Sequence, residues 1–228
     1  MGINSLITYI FASRSRPDKF FHVLNNIGSM SNSGNYEIIA SLDSDDPTMN
    51  NDEVLNDMGC YTKLKWNYGD SKTKVEAINC VTQFINPETK IIINMSDDQE
   101  FTLKYFDVQV RNDMGRCFPD TDGVIHYPDQ TPNGPRIMTM NIVGMKYFQR
   151  TGYIYHPEYK SVYCDNEEVE RAKLLGKYFY SPVSLLAHRH WIFGAAKQDD
   201  LNKRNDSEEM YAHDHMVFLK RKSINFGI

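Results

Sequence analysis

Two adjacent aspartates, Asp97 and Asp98, stand directly behind the apolar run Lys90 to Met95 (KIIINM). Carboxylates held that close repel unless a proton or a cation lies between them. Hard oxygen ligands suit Mg²⁺ or Mn²⁺, which are commonly shared with substrate phosphates. The plain alternative is a solvated acidic turn that caps the next helix. Arg14, Arg16 and Lys74 supply positive charge that could meet such phosphates. Arginine would do so through paired hydrogen bonds and lysine as a point charge, or each is an ordinary surface cation. Asp43 and Asp45 follow a second apolar run. They could accept hydrogen bonds from a nucleobase or ribose, or serve as turn acids ahead of Pro47.

Later in the chain, Asp165 precedes an amphipathic segment in Tyr163-Cys164-Asp165-Asn166-Glu167-Glu168. Asp165 or Asn166 could be a helix N-cap, with acids in the first turn complementing the helix dipole. Asp165 could equally act as a general base. His188 and His190 flank Arg189 after the run Val183 to Ala187. If that run is a strand, both rings face one side. One could then complete a metal shell, since imidazole suits Mn²⁺ and zinc, although a structural role is the alternative. His213 and His215 flank Asp214 near the C-terminus, with nothing in the sequence tying them to the other groups. No HExxH spacing appears, which argues against a metallohydrolase.

These groups need a scaffold. Leu6 to Ala12 (LITYIFA) and Tyr36 to Leu42 (YEIIASL) read as buried strands. Between them Pro17 suits a helix start, and Phe20, Phe21, Val23, Leu24 and Ile27 follow at helical spacing. Cys60 to Leu64 reads as a short strand, Ser71 to Phe84 as a helix, Lys90 to Met95 as a strand and Leu103 to Cys117 as a helix. This rhythm indicates a mostly parallel sheet with right-handed crossovers. The second half predicts strands over Gly123 to Tyr127, Ile137 to Val143 and Ser184 to His190. It also predicts a loop over Asp129 to Arg136 and helices over Lys146 to Thr151 and Asn166 to Leu175, the latter ended by Gly176. Asp199 to Glu209 reads as a mobile charged loop. Ser13-Arg14-Ser15-Arg16, Asp43-Ser44-Asp45-Asp46 and Ser96-Asp97-Asp98 all follow strands pointing the same way. Ligands in open parallel sheets bind outside the carboxyl ends of strands, so the three clusters should meet in one crevice.

The composition narrows the class. The 228 residues carry 25 Lys+Arg against 30 Asp+Glu, a net charge of −5. That balance argues against a general nucleic-acid binder. With 41% hydrophobic and 12% aromatic residues the chain is too apolar for disorder. A chain of this length folds as one domain that buries roughly 70–75% of its unfolded surface. Cys60, Cys80, Cys117 and Cys164 form no CxxC pair, which predicts free thiols in a reducing compartment. Leu6 to Ala12 is too short to span a bilayer and has no basic residue before it, so neither a signal peptide nor an integral membrane segment is expected. The start Met1-Gly2-Ile3-Asn4-Ser5-Leu6 lacks the hydroxyl residue that myristoylation prefers at position six. A soluble cytoplasmic protein is expected.

Taken in order, Leu6 to Pro17, Tyr36 to Asp45 (YEIIASLDSD), Lys74 to Asn79 (KVEAIN), Ile91 to Asp98 (IIINMSDD), Gly152 to Tyr155 (GYIY) and Cys164 to Gly176 (CDNEEVERAKLLG) form a pattern. It resembles the nucleotide-sugar glycosyltransferases of the GT-A fold, glycosyltransferase family 2 above all, over roughly residues 5 to 190. The resemblance implies an α/β, Rossmann-like single domain with a mostly parallel central sheet and flanking helices. It would have a nucleotide-sugar half over about residues 1–100 and an acceptor and catalytic half over about 101–195. A tail or lid would follow over 196–228. It further implies that Ser13, Arg14, Arg16, Asp43 and Asp45 hold the nucleoside, that Lys74 and Asn79 lie near the diphosphate and sugar, and that Asp97 faces base and ribose. Asp98 would hold Mn²⁺ or Mg²⁺ with His188 or His190. The family's acid motif is often D-x-D-D, whereas this chain reads Met95-Ser96-Asp97-Asp98, so the first acid is absent. Asp165 falls on the family's base, and inversion at the anomeric carbon would follow. Tyr127, Tyr155, His156 and Trp191 are the candidates for stacking on a carbohydrate, lipid-linked or protein acceptor. The expected donor is a UDP-sugar. A nucleotidyltransferase would show a glycine-rich phosphate loop where this chain has SRSRP. The missing acid keeps open a non-catalytic nucleotide-sugar-binding module.

Overall fold

A computed structural model describes residues 5–228. Residues 1–4, with the Met1-Gly2 start weighed against acylation, lie outside the described residues. β1 (Ile7–Ala12) is a continuous apolar run, which suits a strand covered on both faces. α1 (Pro17–Met30) starts on proline and buries Phe20, Val23, Leu24 and Ile27. β2 (Tyr36–Asp43) is buried from Glu37 onward. α2 (Asp52–Met58) is capped by Asn51, whose side chain accepts from the Val54 N–H. β3 (Leu64–Gly69) is the sheet edge beside β2. This corrects the strand expected over Cys60 to Leu64. Cys60 and Tyr61 instead close a turn on α2, donating to the Asp57 and Met58 carbonyls. The true strand alternates polar and apolar residues because an edge strand is half exposed, and that weakened its signal. α3 (Lys74–Cys80) is capped by Thr73 and tightens into a 3₁₀ turn over Val81–Phe84.

β4 (Ile91–Asn94) is buried throughout. The rest of the chain supplies β5 (Gln99–Phe101), α4 (Phe106–Cys117), β6 (Val124–His126), β7 (Asn141–Gly144), α5 (Met145–Phe148), α6 (Cys164–Leu174), β8 (Tyr178–Tyr180), β9 (Leu186–His188), α7 (Asp200–Asn205) and α8 (Glu208–Lys222). The main sheet runs β3-β2-β1-β4-β7-β6-β8. Only β7 is antiparallel to its neighbours. β5 and β9 pair antiparallel in a separate two-stranded sheet. The strand expected over Ser184 to His190 is therefore short and lies outside the main sheet. The strand expected over Ile137 to Val143 begins only at Asn141, although Met138 and Met140 are buried ahead of it.

Asp199 to Glu209 is not a mobile loop. The Asp199 side chain accepts from the Asn202 N–H while the Asn202 side chain accepts from the Asp199 N–H, a reciprocal cap that starts α7. Ser207 caps α8 one way only, its hydroxyl accepting from the Met210 N–H. High charge made this stretch look solvated, although its cap residues were readable.

Two apolar layers cover the sheet. Ile7, Tyr9 and Phe11 of β1 meet α1 and α4 on one face, while Ile10 meets Val75, Ile78, Val169 and Val217 on the other. Burying each such side chain stabilises the fold by about 1.5–3 kcal/mol. The chain order reverses between β1 and β4: β2 and β3 build outward on one side, β4 on the other. That switch point opens a crevice at the strands' carboxyl ends. Among the described residues no helix is long and apolar enough to cross a membrane.

Candidate active site

The crevice is a cavity of about 530 Å³. The loop after β1 forms one wall and is held in place by the cluster after β2. Ser15 adopts a left-handed backbone (φ 58°), and its N–H donates to Asp46 Oδ2 at 2.6 Å. Arg14 donates to Asp43 (2.8 Å) and to Asp45. Arg16 donates through Nη1 to Asp97 (2.7 Å) and through Nε and Nη2 to both oxygens of Asp199. Ser13 Oγ donates to the second Asp97 oxygen at 2.8 Å. Burial raises the Asp97 carboxyl, against the pull of Arg16.

Behind β4, Asp98 meets the two histidines. β5 continues from Asp98 and pairs with β9, placing Gln99 opposite His188. The Arg189 N–H donates to the Asp98 carbonyl at 2.8 Å. Ligand atoms of Asp98, His188 and His190 all lie within 4.8 Å of one another. His188 Nε2 is 3.3 Å from Asp98 Oδ1, yet that buried oxygen has no hydrogen-bond partner. His188 Nδ1 lies 3.0 Å from Asp129 Oδ2. Burial alone would lower the His188 ring, but Asp129 and Asp98 outweigh it and hold it at about 9. Burial would raise Asp98, but the adjacent His188 holds it well below the usual carboxylate range. One carboxylate and two imidazoles around an orphaned oxygen fit a divalent cation such as Mn²⁺.

Asp165 lines the same cavity, close enough to Lys74 and His188 to feel their charges. It lies in the first turn of α6, whose N-cap is Tyr163 in a left-handed conformation (φ 60°). Neither Asp165 nor Asn166 is therefore the cap. Asp165 is half-buried, and burial raises its carboxyl against the pull of Lys74. Lys74, at the start of α3, lines the cavity and has no hydrogen-bond or ion-pair partner among the described residues.

Of the expected site residues, Ser13, Arg14, Arg16, Asp43, Lys74, Asp97, Asp98, Tyr155, Asp165, His188 and His190 line one cavity. Arg14 and Arg16, expected to face phosphate, are committed to carboxylates instead. Five other expectations are corrected. Asn79 is spent on backbone: its Oδ1 accepts from the Ile154 and Tyr155 N–H groups, and its amide donates to the Tyr155 carbonyl. Asp45 lies on the outer rim, its side chain 69% exposed. His156 packs between Tyr153 and Tyr159. Trp191 turns its Nε1–H to Asp206 at 2.8 Å. Tyr127 is a core residue bonded to Asp113.

Sequence reasoning missed Asp129, read as part of a loop. It is 1% exposed and accepts from Thr131, Thr139 and His188. Only its place just beyond β6 hinted at a role. It also missed Asp199 as the partner of Arg16.

No protein family and no curated protein matches the sequence. Solved structures do match in shape. The mannosyltransferase PcManGT from Pyrobaculum calidifontis, solved with GDP-Man and Mn²⁺, superposes with a TM-score of 0.63 at 11% identity, covering 79% of this chain and 56% of that one. A fragment of S. aureus TarS in complex with UDP-GlcNAc gives 0.67 at 13% identity, over 92% of this chain and 65% of that one. The chain thus spans little more than half of the first and about two thirds of the second. The 4-diphosphocytidyl-2C-methyl-D-erythritol synthase of Anaerococcus prevotii gives 0.50 at 13% identity, over 80% and 89% of the two chains. The chain has the GT-A fold.

Proposed function

We propose that this chain transfers a sugar from a nucleoside-diphosphate donor, a UDP-sugar, to an acceptor hydroxyl with inversion. The observation that carries the reading is one cavity lined both by the Asp98, His188 and His190 group and by Asp165 with Lys74. Its volume of about 530 Å³ suits a small polar ligand. Ser13 and Asp43, at the ends of β1 and β2, offer hydrogen bonds to base and ribose. Asp97 has both oxygens engaged and sets the shape of that wall. Lys74, the uncommitted cation, pairs with the departing diphosphate. A divalent cation on Asp98, His188 and His190 would neutralise charge on that leaving group. Asp165 accepts the acceptor hydroxyl's proton while the oxygen attacks the anomeric carbon opposite the departing diphosphate. Such base catalysis typically contributes about 10²–10⁴-fold.

In this reading residues of about 1–100 bind the donor, about 101–195 carry the base and acceptor side, and 196–228 act as a cover through α7. Of the aromatic acceptor candidates, Tyr155 reaches the cavity. A carbohydrate, lipid-linked or protein hydroxyl would suit it, and the four free cysteines suit a cytoplasmic setting. The likeness to a diphosphocytidyl-methylerythritol synthase favours, as a second reading, nucleotidyl transfer. The glycine-free SRSRP loop speaks for sugar transfer instead.

The test is a thermal-shift panel of UDP, GDP and their sugars with and without Mn²⁺, followed by nucleotide release. Stabilisation by a nucleoside diphosphate that needs Mn²⁺, with donor turnover, is expected. Pyrophosphate release from a nucleoside triphosphate would favour the second reading. Binding without turnover would leave only a binding module, and no stabilisation by any nucleotide would end the proposal.

A further inference from the structure

The segment His213-Asp214-His215 found no use in the cavity itself. Asp214 sits on α8, is fully buried (0% exposed), and its carboxylate is filled by donors. Oδ1 accepts from the Lys160 N–H at 3.0 Å and lies 2.8 Å from His213 Nδ1. Oδ2 accepts from the Ser161 and Val162 N–H groups, both at 2.8 Å. Three successive backbone donors on one carboxylate hold it firmly. Those donors belong to the loop that runs through the left-handed Tyr163 into Asp165. The same loop is tied on its other side by the Val75 N–H, which donates to the Lys160 carbonyl at 3.1 Å, next to Lys74. The loop has no ladder of its own, so these bonds set where α6 begins.

We propose that Asp214 is a positioning residue for Asp165: it anchors the 160–163 loop, and through it the distance between base and acceptor hydroxyl. This rests on the reading of Asp165 as the base. An asparagine in its place keeps one acceptor oxygen and turns an NH₂ group against backbone donors, so part of the anchor is lost while the side chain's volume is kept. A shift of the base by about 1 Å can cost on the order of 10²-fold in rate.

The test uses the full chain and Asp214→Asn, with UDP and Mn²⁺ as binding probes and UDP-glucose and UDP-N-acetylglucosamine as donors. In the parent, the amides of residues 160–162 exchange as slowly as those inside α6, although they lie outside any helix. In the variant they exchange about tenfold faster or more. UDP with Mn²⁺ still raises its melting temperature as in the parent. Its kcat for UDP release falls on the order of 10–100-fold with donor KM unchanged, a split that general loss of structure would not give. Loop-like exchange of these amides in the parent overturns the proposal without requiring any variant to fold. A variant kcat within about twofold of the parent also overturns it. A parent that binds no UDP, or binds it and turns over no donor, defeats the function reading. The exchange measurement then decides the anchoring role of Asp214 by itself.

Discussion

Asp165 is half-buried at the cavity wall, and burial raises its carboxyl above the usual range. Its folded pKa thus lies above the unfolded value of about 3.9. The stability tied to its protonation is fully present below that unfolded value and is lost as pH rises through the folded one. At pH 7 the buried charge therefore costs stability. Asp165→Asn should melt at a higher temperature than the parent at pH 7, with the gap closing toward about pH 4. It should also lose transfer by about 10²–10⁴-fold while keeping UDP binding. Calorimetry at the two pH values and initial rates check both, and an unchanged rate would remove Asp165 from the mechanism. On the proposed mechanism the same raised pKa should make the parent's rate climb with pH, as initial rates across a pH series would show. Asp129 acts one step further out: its carboxylate at 3.0 Å orients His188 toward the cavity. Asp129→Asn should weaken Mn²⁺ binding about 10–100-fold, as measured by titration of the metal-dependent thermal shift. An affinity equal to the parent's would mean the ring needs no such support.

At the level of elements, Arg16 joins the β1–α1 loop to β4 through Asp97 and to α7 through Asp199. The two links differ in burial. Side chains of Arg16 and Asp97 are 8% and 3% exposed, whereas that of Asp199 is 38% exposed. Arg16→Ala strands Asp97 as a buried charge supported only by Ser13, and should cost about 3–5 kcal/mol. Asp199→Ala removes an N-cap and the exposed half of the network, and should cost only about 1 kcal/mol. Urea unfolding of the two variants tests the ordering, and equal losses would refute the buried pair's role. Elements also explain what was legible. β1, β2 and β4 were visible because central strands are apolar on both faces. β3 was hidden because an edge strand alternates, and α7 because its high charge read as a solvated loop despite the Asp199–Asn202 cap.

For the whole molecule, the strand order makes the site. β1 and β4 lie side by side at the switch point, so Ser13 and Asp97 touch although 84 residues apart. A ligand seated there binds the folded chain alone and stabilises it by about 2.7 kcal/mol at a hundredfold excess over Kd. For a chain of this size that is a rise of roughly 5–10 °C in melting temperature. UDP should produce it with Mn²⁺ and much less without, in a thermal-shift series; equal shifts with and without the metal would count against the Asp98 site. By itself the sequence determined the parallel-sheet class and the polar clusters at the strand ends, and it singled out Asp98, Asp165, His188 and His190, which line one cavity. Each of these is written locally, in an apolar run and the residues just after it. Only the tertiary structure decided that Arg14 and Arg16 are spent on carboxylates and Asn79 on backbone. Likewise, only the fold could show that Asp129 stands behind His188, and that Asp214, far along the chain, holds the loop of Asp165. Those are partnerships between distant segments, and local propensity carries no information about which distant group will arrive to fill a hydrogen bond.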